Sequence, residues 1–83
     1  MENDYDDQTE QIIDALKLEG LIAEASEVYR ALRGGSSGTE VLMGVRWNLV
    51  QIDRANQPLN LVTRRKIQDL VAALNKALGD ELP

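Results

Sequence analysis

An all-α fold, a compact antiparallel four-helix bundle, is what this 83-residue sequence predicts. Three observations lead there. Apolar residues recur at spacings of three and four in four separate stretches, no stretch alternates apolar and polar as a half-buried strand does, and the connections between stretches are short and marked by Gly, Pro, Ser or Asn. The whole chain, 1–83, is expected to be one helical domain, with frayed ends at 1–6 and 80–83.

The first helix is expected over about 7–19. Asp7 with Glu10 three residues later resembles a capping box, and Ile12, Ile13 and Leu16 form the apolar stripe. Gly20 should end it in a left-handed conformation, bringing Leu21 onto Leu16 as in a Schellman stop. The second helix, about 21–33, carries Ile22, Ala25, Tyr29 and Leu32, with Val28 widening the face. Arg30 and Arg33 fall in its last turn, where cations complement the helix dipole. Gly34-Gly35 stops it.

The third helix, about 38–55, starts from a Ser37-x-x-Glu40 box. On a helical projection Val41, Leu42, Val45, Leu49 and Ile52 share one broad arc, whereas Met43, Trp47 and Val50 form a separate stripe. Arg46 and Asp53 lie between the arcs. A helix apolar on two sides is either central or carries an interface. Gly44 inside it costs about 1 kcal/mol relative to Ala, which points to a close helix crossing.

Asn56-Gln57-Pro58 forms the next connection. The fourth helix, about 61–78, begins at one of two caps: Thr63, which would pair Val62 with Ile67 as a hydrophobic staple, or Asn60, which adds nearly a turn. Ile67, Leu70, Val71, Leu74 and Leu78 make its stripe, and Gly79 closes it.

The segment Gly35-Ser36-Ser37-Gly38-Thr39-Glu40-Val41-Leu42-Met43-Gly44-Val45-Arg46-Trp47-Asn48-Leu49 resembles one found in small bacterial helical proteins of unknown function. In those a Gly-Ser-x-Gly-Thr-Glu turn leads into a helix ending Arg-Trp-x-Leu. The resemblance implies a bacterial, cytoplasmic, helical protein and carries over no functional residue.

Composition narrows the chemistry. With no His and no Cys, the chain lacks the commonest neutral-pH acid-base group, the thiol nucleophile and the soft metal ligands. No enzymatic activity, cofactor or metal is therefore expected. The glycine-rich segment lacks the Gly-Lys-Ser/Thr of a phosphate loop, and Glu40 puts negative charge where a phosphate would sit. Asp4, Asp6, Asp7 and Glu10 lack the spacing of a calcium loop and have a sufficient role near a helix N-terminus.

The acidic start does not look like a secretory signal, and no apolar run approaches membrane-spanning length, so a cytoplasmic location is expected. Net charge is −5, unevenly spread. Residues 1–27 hold nine acids against Lys17 alone, a net of −8, whereas residues 28–83 hold eight bases and five acids, a net of +3.

This layout leads to a non-catalytic protein-interaction module, acidic and suited to a basic partner in the manner of an inhibitor or immunity protein. Glu10, Asp14, Glu24, Glu27, Met43 and Trp47 are its expected partner-binding residues. One alternative is a homodimer packed through Met43, Trp47 and Val50. Another is a nucleic-acid adaptor using Arg64, Arg65 and Lys66, disfavoured by the acidic pI of about 4.5. Within the molecule, the basic run could instead face the acidic first helix, and Arg46 could pair with one of that helix's carboxylates.

Overall fold

The computed structural model describes residues 5–55 and 57–79. They form four helices: α1 (Tyr5–Leu18), α2 (Ile22–Gly34), α3 (Gly38–Arg54) and α4 (Leu61–Leu78). Each packs on the next in sequence, and α1 closes the ring against α4. Cross-helix pairs run in opposite residue order: Glu10 meets Arg33, Gly44 lies against Ala31, Arg46 and Asp53 meet Asn75 and Arg64, and Glu19 meets Asn60. All neighbours are thus antiparallel, as expected.

The α1–α2 corner follows the sequence signal closely. Gly20 has φ of 84°. Its N–H donates to Lys17 O at 3.0 Å and the Leu21 N–H donates to Leu16 O at 2.9 Å, the two bonds of a Schellman stop. α1 begins earlier than expected, however. Tyr5 and Asp6 are helical, and Asp7 lies inside the first turn rather than capping it. The other positions expected to fray, 1–4 and 80–83, lie outside the described residues.

At the α2–α3 corner, the Ser37 hydroxyl accepts the Glu40 N–H at 3.2 Å. The reciprocal half of the box is displaced by one residue: Glu40 Oε1 accepts the N–H of Ser36 at 3.1 Å and its hydroxyl at 2.6 Å. Gly35 is required by close approach. A Cβ there would stand 2.6 Å from Val41 Cγ2 and 2.8 Å from the Val41 backbone nitrogen.

α4 starts at the Asn60 cap, whose side chain accepts the Val62 N–H at 2.8 Å. The staple fails because Val62 points to water while Ile67 is fully buried. Thr63 is buried inside the first turn instead of capping it.

The core is aliphatic: Ile12, Leu16, Val28, Leu49, Ile67 and Leu74 are among its fully buried members. In α2 the buried positions are Ala25, Val28 and Leu32. Ile22 and Tyr29, expected on that stripe, are half or more exposed. Both rows have helical spacing, and the row through Val28 is the one that faces the other helices. No aromatic side chain is in the core of the described residues, so tight packing here rests on branched aliphatics, each contributing about 1.5 to 3 kcal/mol when buried.

Candidate functional site: the outer face of α3

Helix α3 is buried through Val45, Leu49 and Ile52, with Val41 and Leu42 packed beside them. That arc uses up the side facing the bundle. Trp47 lies opposite it and is 63% exposed, and Met43, one turn earlier, is 42% exposed. Val50 is half-buried beside them. The second stripe therefore faces water. Met43, Arg46, Trp47, Val50, Arg54 and Asn75 line a shallow groove of about 450 Å³ along the α3–α4 edge.

Two cations border this stripe. Arg46 donates to the Asn75 side-chain oxygen on α4 at 3.0 Å, not to a carboxylate of α1. The reason is topological: α1 and α3 occupy opposite corners of the ring, so the half-buried guanidinium reaches the adjacent helix. Arg54, at the end of α3, forms no ion pair with another described residue.

The acids divide by helix. Glu10 accepts from Arg33 at 2.8 Å, and Arg33 also lies over the Tyr29 ring at 5.5 Å. Asp14 is exposed on α1. Glu24 accepts from Gln57 at 2.9 Å, and Glu27 pairs with Arg30 at 3.5 Å. Glu24 and Glu27 share a groove of about 290 Å³ with Gln51 and Ile52 of α3. Gln51 also borders the Trp47 groove, so these two acids lie around the flank of α3 from Trp47. Glu10 and Asp14 project from the opposite corner of the bundle. The expected partner-binding set thus falls on three separate surfaces: Glu10 and Asp14 on α1, Glu24 and Glu27 in the α2–α3 groove, and Met43 and Trp47 on the outer strip of α3.

The basic run is brought together: Arg64, Arg65 and Lys66 all line a groove of about 520 Å³ with Leu61, Val62 and Gln68 at the start of α4, although Arg64 is also engaged within the fold. Arg64 donates to Asp53 Oδ1 at 2.9 Å and to the Gln57 carbonyl at 2.7 Å, tying α3 to the start of α4. It does not face α1. Arg65 and Lys66 are exposed, and Lys66 alone of the three lines the groove between α1 and α4 with Gln8 and Gln11.

Two carboxylates are electrostatically distinguished. Glu19 sits below the usual carboxylate range, first because the Thr63 hydroxyl donates to it and second because the Asn60 N–H does so. Glu40 is lowered by the Ser36 hydroxyl and then by the Ser36 N–H. In each case the bonds favour the charged form at a helix start, so these groups cap helices.

One surface was missed by the apolar periodicity. Leu18, Ile22, Leu61 and Val62 are all exposed at the end of the bundle where α1 meets α2 and α4 begins, with Leu18 89% and Leu61 81% accessible. Leu18 and Leu61 adjoin the Glu19–Asn60 hydrogen bond in sequence. A signal existed in Leu61-Val62, two apolar residues preceding the stripe that begins at Ile67. Among the described residues, no group of three or more His, Cys, Asp or Glu side chains could hold a metal ion, and no helix is long and apolar enough to cross a membrane.

No family model, curated protein or solved structure matches this chain.

Proposed function

We propose that this chain is a non-catalytic protein-interaction module that docks through the outer face of α3. The observation that carries this reading is the exposure of Trp47, the single tryptophan, in line with Met43 on a helix whose other face already supplies the core. A tryptophan left 63% exposed contributes only a fraction of its hydrophobic free energy to the monomer, whereas aromatic side chains beside arginines are favoured anchors in interfaces. Arg46 and Arg54 provide such a border. Glu24 and Glu27 on the adjoining flank would add electrostatic complementarity toward a basic rim on a partner.

A photo-crosslinking residue at Gln51, beside the anchor, tests the reading against the same residue at Ala72, exposed on α4. Cellular crosslinks from 51 and not from 72, lost on adding Trp47→Ala, are expected. Equal yields from both positions would rule out α3 as the docking face.

A further inference from the structure

The charge order along α3 identifies an occupant for its outer face. Glu40 precedes Trp47 by seven residues and Arg54 follows it by seven. Seven residues fall about 20° short of two helical turns, so Glu40, Trp47 and Arg54 align along one side of the helix. Each charge stands about 10.5 Å from Trp47 along the axis. Met43 and Val50 occupy the same side, four residues before Trp47 and three after it.

This pattern is self-complementary. In a two-fold pair of antiparallel helices centred on Trp47, a residue k positions before Trp47 meets the residue k positions after it on the other chain. Glu40 of each copy then meets Arg54 of the other, twice. Met43 approaches the second copy's Val50, and the two tryptophans meet at the axis. We propose that the occupant is a second copy of this chain, docked in that register. The inference rests on the interaction reading above and names its partner.

Both charges are available. The two Ser36 bonds fall on Oε1 of Glu40, leaving Oε2 free of any bond among the described residues, and Arg54 has no ion pair there. The apolar end near Leu18 and Leu61 has no comparable acid-base order to define an occupant. One helix face covers less than the ~1,600 Å² total of a standard interface, so a weak, concentration-dependent dimer is expected. The net charge of −5 on each copy opposes association and is itself screened by salt, so salt dependence does not discriminate.

Charge reversal does discriminate, because a Glu at the start and an Arg at the end of α3 also suit its dipole within the monomer. Sedimentation from about 1 μM to about 1 mM should give a monomer–dimer equilibrium, with Trp47 emission moving to the blue as dimer forms. Arg54→Glu should raise the dissociation constant about tenfold or more by placing carboxylates opposite each other, and Glu40→Arg with Arg54→Glu should recover most of that loss. Circular dichroism checks that each variant is folded, and the wild-type emission shift stands independently if the double variant is not.

A wild-type monomer throughout the range overturns the proposal, as does a dimer whose formation leaves Trp47 emission unchanged. An unaltered constant in folded Arg54→Glu overturns the register. A monomer that still crosslinks from position 51 to another protein would reject self-pairing while retaining the α3 docking face.

Discussion

Glu19, one residue past the end of α1, accepts a hydrogen bond from the hydroxyl of Thr63 in the first turn of α4. The same carboxylate accepts the Asn60 N–H at 2.8 Å. One side chain thereby satisfies donors at the start of a helix more than 40 residues away in sequence, and Asn60 caps the next N–H itself. The α1–α4 closure of the ring is anchored at this junction.

Removing that junction should loosen the closure. Glu19→Ala is expected to lower unfolding free energy by about 1 to 2 kcal/mol, comparable with losing a helix cap. Urea denaturation measures it, and Thr63→Val should show a non-additive loss when combined, since both variants remove the same bond.

Acid should weaken the fold through the two lowered carboxylates. A group whose folded pKa lies below its unfolded value stabilises above the unfolded value, near 4.5 for Glu19 and Glu40, and that contribution is lost as pH falls through the folded value. Stability should therefore decline as pH falls below about 4.5, and Glu19→Gln should flatten part of that decline. Thermal melts between neutral and acidic pH supply the comparison. An acid limb identical in wild type and Glu19→Gln would remove Glu19 as its source.

Trp47→Ala should change monomer stability by less than about 1 kcal/mol, since surface substitutions seldom exceed a few tenths and this side chain is mostly exposed. A buried aromatic would cost about 3 to 5 kcal/mol. Denaturation at concentrations where the chain is monomeric separates the two cases.

The two glycines near α3 should respond in opposite directions. At Gly35 a methyl group would collide with the Val41 backbone, so Gly35→Ala should cost about 1 to 3 kcal/mol. At Gly44 it would stand 3.4 Å from Ala31 Cβ, a contact that a small adjustment relieves. Gly44→Ala should then be neutral or stabilising by up to about 1 kcal/mol from helix propensity. Chemical denaturation of both variants gives the sign directly.

Serine at position 37 should matter as a cap. Ser37→Ala removes the acceptor for the Glu40 N–H and should destabilise by about 0.5 to 2 kcal/mol, whereas Ser37→Asp should hold the wild-type value.

The amino-acid pattern alone determined the four helices, their order and most of their ends, because these depend on interactions within a few residues. Gly20, Ser37 and Gly79 terminate helices through bonds to backbone groups within five positions. Local spacing also separated Val45, Leu49 and Ile52 from Met43, Trp47 and Val50. It could not assign either stripe to water, since both are apolar and helical in period. Tertiary packing decided that: α2 and α4 flank α3 on the Leu49 side, leaving Trp47 on the outside. The same packing sent Arg46 to Asn75 and Arg64 to Asp53, because a side chain reaches the adjacent helix before the diagonal one. It also selected Asn60 as the α4 cap, where Glu19 arrives from α1 to receive the remaining donors.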